Sequence, residues 1–434
     1  MVAHPRIQPP AHGTVSRVGL ISVHTSPLAQ PGTGDGGGLN VYVRETATRL
    51  AERGIHVDIF TRWEDPKLPE TVMLIDGVEV HHIEAGPRQP LPKGEVANLL
   101  CAFVLGLQRH PSAGLHDVLH AHYWLSGWVG RRIAQRWGTP MVQTFHTLGL
   151  LKNATLAPGD VPEPALRLVA EQRVATEADR LLVLTCGEAR LLHRSYGISG
   201  QRLTVVPAGV DLDLFCPQQR RPASGERRRP PRDPELLFVG RLQPLKGPDI
   251  AVRILAEVRR SHPTAQLRII GGTSGNGVGS TGPTDLQALA ASLGVADALT
   301  IEPAVDQRDL VARYHAADVV LVPSRSETFG LVALEAQACG IPVVAAAVAG
   351  LEAVVGDGGA LVPGHDPVDH AAAVLRYLDD PVLADAASQA GITTGRRSSW
   401  ERTVDRLVAI YSEVAAEARA DADAASDDAV AVGA

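Results

Sequence analysis

Two glutamates separated by seven residues carry the clearest chemical signal, in the stretch SRSETFGLVALEAQACGIPVVA from Ser324 to Ala345. It follows an apolar run, Asp318–Val322, and Phe329, Leu331, Val332, Leu334 and Ala338 recur with helical period, so a helix is expected to open near Thr328. Glu327 then stands at the helix mouth and Glu335 two turns inside. Carboxylates so placed can hold sugar hydroxyls, while the peptide N–H groups of Phe329, Gly330 and Leu331 can receive phosphate oxygens. Either glutamate alone reads as a helix-dipole partner or a solvated side chain; the E-x7-E spacing around Phe-Gly is more specific. In FVGRLQPLKGPDI, Phe238 to Ile250, Arg241 and Lys246 lie between a strand end and a helix start. Two cations there suit a leaving diphosphate, whose charge grows as its bond breaks.

A third element, PGTGDGGGLNVYVRETATRL, puts five glycines into the seven residues Gly32–Gly38 and then turns into a helix. Gly32–Gly37 matches G-x-G-x-x-G, but Thr25–Pro31 intervene between the apolar run Val18–Val23 with its closing His24 and the glycines, which is not the tight turn of a dinucleotide site. The general physics survives: bare backbone approaches an anion, and a helix from Gly38 points N–H groups and its positive end at the same place. A flexible surface loop is the bland alternative. His120, His122 and His146 could suggest a metal, since H-x-H on a strand puts both rings on one face. No third ligand has convincing spacing, so packed or hydrogen-bonded histidines are expected.

These residues need a scaffold of strands between helices. Short Val/Ile/Leu runs alternate with amphipathic segments, the pattern of buried parallel strands. Candidate strands are Arg17–Val23, Val57–Thr61, Asp117–Ala121, Pro140–Thr144 and Arg180–Leu184, then Glu235–Val239, Gln266–Ile270, Leu299–Glu302, Asp318–Val322 and Pro342–Ala346. At 434 residues the chain exceeds one ordinary core. The expected architecture is α/β, two Rossmann-like doubly wound domains over 17–205 and 206–397 facing across a cleft, where such sheets bind ligands. Residues 1–16 read as a disordered lead-in, and the Arg/Pro-rich 218–233 as a solvated loop near the domain boundary. A helix over 398–414 is expected to be capped by Ser398 and Glu401, to dock through Val404, Leu407, Val408 and Tyr411, and to cross back to the first domain. Residues 415–434 read as a disordered acidic tail.

Composition excludes several classes. No apolar run approaches the roughly 18 residues of a membrane span, and MVAHPRIQPPAHG has no apolar core like that of a signal peptide, so a cytoplasmic protein is expected. Of the net charge of −7, much sits in the last 22 residues, so nothing advertises nucleic acid. Cys101, Cys186, Cys216 and Cys339 are scattered without C-x-x-C spacing, consistent with plain thiols.

The E-x7-E element, G-R-L-x-P-x-K-G and the glycine loop before GLNVY together resemble the retaining family 4 glycosyltransferases of the GT-B fold. TSPLAQPGTGDGGGLNVYV, HAHYWLSG, HTLGLLKN, PAGVDLDLF, FVGRLQPLKGPD and SETFGLVALEAQACG resemble, more narrowly, the group that transfers N-acetylglucosamine from UDP to inositol phosphate at the start of mycothiol synthesis. The likeness spans about Arg17 to Tyr411. It implies a donor set of Gln30, Pro31, Gly38, Arg241, Lys246, Val305, Glu327, Phe329, Gly330, Leu331 and Glu335, with Arg241, Lys246 and Glu327 at the chemistry. It implies an acceptor set in which Lys93, Tyr123, Thr147 and Arg167 hold the phosphate, and His24, Asp35, Gly36, Gly37, Gly38, Leu39 and Asn40 lie against the inositol.

No cofactor is implied for the chemistry. A peripheral magnesium is implied on main-chain oxygens at Tyr314, His315, Ala317 and Ile341, where His315 replaces the usual Arg and Ile341 the usual Thr. A homodimer is implied as well. The implied reaction is a front-side displacement in which UDP departs as the acceptor hydroxyl attacks from the same face, without a protein nucleophile. Trp128, Ala349 and Glu352 depart from the pattern. Within the fold, a transferase of sucrose-phosphate-synthase type with another acceptor is the nearest alternative. An NAD-dependent dehydrogenase and a catalytically silent nucleotide-sugar binder are the alternatives of other classes, the latter expected to have lost Arg241, Lys246 or Glu327.

Overall fold

The computed structural model describes residues 15–34, 36–156, 161–218, 233–273 and 282–432. Asp35 and most of the 218–233 segment lie outside them, as does the start of the lead-in. All ten expected strands form, within a residue or two at their ends, most of them short apolar runs buried on both faces between helices. The first sheet contains β1 (Arg17–Ile21), β2 (His56–Arg62), β3 (Thr71–Ile75), β4 (Val78–Ile83), β5 (Val118–His122), β6 (Met141–Thr144), β7 (Arg180–Val183) and β8 (Leu203–Val205). Its order is β3-β4-β2-β1-β5-β6-β7-β8, parallel except for the edge hairpin β3–β4. That hairpin turns at Asp76-Gly77, with Gly77 at φ 84°.

The second sheet contains β9 (Glu235–Val239), β10 (Gln266–Ile270), β11 (Leu299–Glu302), β12 (Val319–Val322), β13 (Val343–Ala346) and β14 (Gly359–Val362), in the order β11-β10-β9-β12-β13-β14. Strand order reverses beside β1 and β5 in one sheet and beside β9 and β12 in the other. Ligands bind outside the carboxyl ends of strands at such points. His24 and Tyr123 follow the first pair; Arg241 and the Ser324–Glu327 loop follow the second.

Three expectations are corrected. Val15 and Ser16 are not part of a loose lead-in: Val15 is buried, and Ser16 donates from its N–H and Oγ to Asp117. The last helix is capped by Ser399 rather than Ser398, since the Ser398 carbonyl is already taken by the Val210 N–H, and Glu401 pairs with Arg49 instead of closing a capping box. That helix, Trp400–Val432, runs through the stretch read as a disordered tail. Alanine, the strongest helix former, outweighs the repulsion of the spaced acids. The helix lies on the first sheet's side, with Val404, Leu407 and Tyr411 packed among Val18, Leu20 and Val118.

Candidate functional site

A cavity of about 310 Å³ opens between the two sheets, lined from both. On the second-sheet side, β9 ends at Val239 and the chain passes through Gly240 and Arg241 into a 3-10 turn, Pro244–Lys246. Lys246 Nζ donates to Glu327 Oε2 at 2.5 Å, tying the loop after β9 to the loop after β12. Arg241, Lys246, Glu327, Phe329, Gly330, Leu331, Val305 and Glu335 all line the cavity.

The helix after β12 starts at Leu331, not near Thr328 as its apolar spacing implied. Gly330 adopts φ 102° before it, and a Cβ there would come 2.7 Å from Leu351, so only glycine can set this entry. The donors at the helix mouth are therefore the N–H groups of the first residues from Leu331 onward, while Phe329 and Gly330 form the approach to it. Glu335 consequently sits one turn inside. It is buried and accepts from the Tyr314 hydroxyl at 2.8 Å. Burial pushes its carboxyl up to about 7, against the pull of hydrogen bonds from Tyr314 and Gln307.

On the first-sheet side, the helix Gly38–Glu52 points its N-terminus at the same cavity, with Pro31, Gly37, Gly38 and Leu39 at the wall. A Cβ built on Gly38 would lie 3.2 Å from Leu331, and one on Gly37 3.8 Å from the Arg241 guanidinium. Two helix N-termini and two basic side chains thus converge, an arrangement that stabilises a multiply charged anion. The glycine loop also bears on the second domain directly: Gly272 N–H donates to the Gly32 carbonyl at 3.0 Å.

His24, Lys93, Tyr123 and Thr147 line the same wall deeper in the first domain. The His24 and Tyr123 rings are 4.4 Å apart; Lys93 Nζ lies 5.8 Å and the Arg167 guanidinium 4.9 Å from the Tyr123 ring centroid. Arg167 sits behind the wall, donating to the Thr147 Oγ1 and carbonyl, with Glu171 and Glu163 as counter-ions. Burial, with the charges of Lys93 and Arg167 beside it, holds His24 far below its ordinary pKa, and burial raises Tyr123 to about 12. Tyr123 and His146 are non-glycine residues at positive φ, 75° and 60°. Both follow strand ends and both line the cavity.

Some expected residues do not reach the wall. Gln30 and Gly36 shape the loop: the Gln30 carbonyl accepts from Thr33 and the Gly36 N–H donates to Thr33. Asn40 is buried and fully used, its Oδ1 accepting from Gly37 N–H and its Nδ2 donating to Thr25 and Ser26. His120 bonds Tyr411 and Thr144, and His122 bonds His146, so these imidazoles are paired in the core rather than grouped as ligands. Tyr314, His315 and Ala317 lie at the C-terminal end of the helix Gln307–Ala316, with Ile341 beyond the Leu331–Ala338 helix. Carbonyl oxygens at a helix end are hard donors of the kind magnesium takes, and the Tyr314 carbonyl already accepts from the Ala317 N–H at 3.1 Å. Ala349 and Glu352 are not at the cavity wall; Ala349 faces Gly187.

The sequence reading missed Lys152, Ser324, Ser326, Thr328 and Gln307, all at the wall. Three of them flank Glu327 within the E-x7-E stretch and Lys152 lies inside HTLGLLKN, so nearness to a motif was the available signal. Gln307 has no local signal.

The glycosyl transferases group 1 family matches residues 219–394, and a glycosyl transferase 4-like domain matches residues 37–209. The chain is 31% identical to the sucrose-phosphate synthase structure from Thermosynechococcus elongatus, with a TM-score of 0.83 over 93% of this chain and all of that one. The structure of Anabaena Alr3699/HepE in complex with UDP-glucose shares the fold at 17% identity, with a TM-score of 0.67 over 92% and 99%. Curated relatives named D-inositol 3-phosphate glycosyltransferase are 50% identical in Acidothermus cellulolyticus, over 94% of this chain and 92% of that one, and 48% in Thermomonospora curvata, over 92% and 95%. With the GT-B architecture and those relatives spanning nearly their whole length, the chain belongs to the D-inositol 3-phosphate glycosyltransferase family.

Proposed function

We propose that this glycosyltransferase moves N-acetylglucosamine from UDP-N-acetylglucosamine to 1D-myo-inositol 3-phosphate with retention, releasing UDP, as the first step of mycothiol synthesis. One observation carries the reading: two helix N-termini with Arg241 and Lys246 face Lys93, Tyr123 and Thr147, backed by Arg167, across a single cavity. The first group takes the donor diphosphate. The second takes the acceptor phosphate dianion, with two cations and two hydroxyls.

The bond from the anomeric carbon to the diphosphate breaks as the acceptor hydroxyl bonds to that carbon from the same face. The leaving phosphate takes the hydroxyl proton. Arg241, Lys246 and the N–H groups at Leu331 stabilise the charge growing on the diphosphate, and Glu327 holds Lys246 in place. Glu335, one turn inside its helix, takes donor hydroxyls. His24, Gly37, Gly38 and Leu39 bear on the inositol, while Asn40 keeps the loop in shape.

Domain limits of 15–205 and 206–397, the homodimer, the cytoplasmic location and a non-catalytic magnesium at Tyr314, His315, Ala317 and Ile341 are part of the same proposal. Among the described residues no helix is long and apolar enough to cross a membrane. The likeness to a sucrose-phosphate synthase favours one second reading, a fructose 6-phosphate acceptor. UDP release from UDP-N-acetylglucosamine, measured with inositol phosphate, free inositol and fructose 6-phosphate in turn, separates them. Release with inositol phosphate alone is expected; release with fructose 6-phosphate alone would transfer the assignment to the second reading.

A further inference from the structure

Outside the cavity lining, toward the amino-terminal ends of β2 and β4, a second group of side chains is set by strand periodicity. His56 and Asp58 are two apart on β2, Glu79 and His81 two apart on β4, and Asp58 is the register partner of Glu79. All four therefore point to one face. His56 Nε2 lies 3.6 Å from Asp58 Oδ1 and 3.7 Å from Glu79 Oε2, and His81 Nε2 lies 2.8 and 3.9 Å from the same two oxygens. The His56 contacts are beyond hydrogen-bonding distance, and His56 Nε2 is buried without a hydrogen-bond partner.

Donors bound tetrahedrally to one zinc at about 2.0–2.1 Å stand about 3.3 Å from each other; the His56, Asp58 and Glu79 donor atoms all lie within 4.8 Å of one another, and His81 reaches both carboxylates. The surroundings support the ligands as outer partners do in metal sites. Thr71 Oγ1 meets His81 Nδ1 at 3.2 Å and turns Nε2 inward. His116 Nε2 and Arg17 hold the Asp58 carboxylate in orientation. Arg17 is the one guanidinium facing the two carboxylates, with the His81 and His116 imidazoles bonded to Asp58 beside it. His56 and Glu79 are each about one-third exposed, which gives an entry path from solvent.

We propose that His56, Asp58, Glu79 and His81 form a structural site for a borderline-soft divalent cation of the zinc type, pinning β2 to β4. Two imidazoles select zinc or cobalt over magnesium. The site lies at the amino-terminal ends of the strands and takes no part in sugar transfer.

The test uses the full-length protein, stripped with a chelator and titrated with zinc chloride or cobalt chloride, alongside the double variant His56→Ala/Glu79→Gln. Expected are one zinc per chain, a visible cobalt absorption of tetrahedral intensity, a rise of a few degrees in Tm with zinc, and at least a tenfold loss of affinity in the variant. UDP release stays unchanged in that variant. Zinc affinity equal in the two proteins, no stoichiometric binding, or displacement of zinc by equimolar magnesium overturns the proposal.

Discussion

The two walls of the cavity are built on different principles. The second-domain wall is local: two short loops after β9 and β12 supply both cations and Glu327, and the helix mouth that follows carries Glu335 one turn inside, the loops being tied by the Lys246–Glu327 pair. The first-domain wall is collected from distant parts of the chain, with Lys93, Tyr123, Thr147 and Arg167 arriving on four segments. Its charge is spent inside the fold as well as toward the cavity, because Arg167 is almost fully buried and neutralises Glu171, whose side chain has no solvent exposure. A change on the first wall should therefore cost folding, and a change on the second should cost rate.

Arg167→Ala puts that contrast under the greatest strain. Leaving Glu171 buried without its partner should cost about 3–5 kcal/mol of stability, read from urea unfolding, and raise KM for inositol phosphate in whatever folds. An unchanged midpoint would remove the structural half of the comparison. Lys246→Ala should lower kcat by about 10²–10³-fold, or about 2.7–4 kcal/mol of barrier, with an unchanged circular dichroism spectrum. Wild-type turnover would sink the assignment of the second wall. Between the walls, Gly272→Ala would put a Cβ 2.9 Å from the Gly32 carbonyl. A shift of the two domains costing about 1–3 kcal/mol should appear as weaker UDP affinity in calorimetry, with little loss of stability in either domain.

The walls differ, finally, in the sign of their pH dependence. Burial holds His146 down at about 3. It stays neutral when folded, so its stabilising contribution is complete above its unfolded pKa near 6.5 and is lost as pH falls toward 3, at about 1.4 kcal/mol per unit. Glu335, raised to about 7 by burial, runs the other way: it keeps its proton in the fold while the unfolded chain releases one, so stability falls as pH rises from about 4.5 to 7. His146→Asn, which tolerates the positive φ, should flatten the acid limb, and Glu335→Gln the neutral one. Equal slopes in all three proteins, read from urea midpoints against pH, would erase the distinction.

The same division explains what could be read from the chain alone. β9 to β11 match their expected spans, and the second wall's donors were found because their motifs are contiguous. The helix start was misplaced by three residues because apolar spacing carries no information on the left-handed turn at Gly330. β3 and β4 were overlooked although Asp76-Gly77 marks their turn, since an edge hairpin alternates weakly. For the first wall, resemblance supplied the residues, but not that Arg167 stands behind Thr147 or that Asn40 is consumed by its own loop. Those facts depend on which segments the sheet order brings together. Only a tertiary arrangement creates them.

The return of the last helix to the first sheet has a mechanical consequence. The chain passes between the domains twice, and the two passages are laced together: Val210 N–H donates to the Ser398 carbonyl at 2.8 Å, and Thr403 Oγ1 to the Pro207 carbonyl at 2.9 Å. Gly209 lies so close to Trp400 that a Cβ would come within 2.3 Å of its nitrogen. Two adjacent pins act as a door hinge does. They join the lobes along one short line beside Trp400. Trp400 stacks edge-on against Tyr42, which itself lines the cavity, so the pivot and the chemistry share a wall.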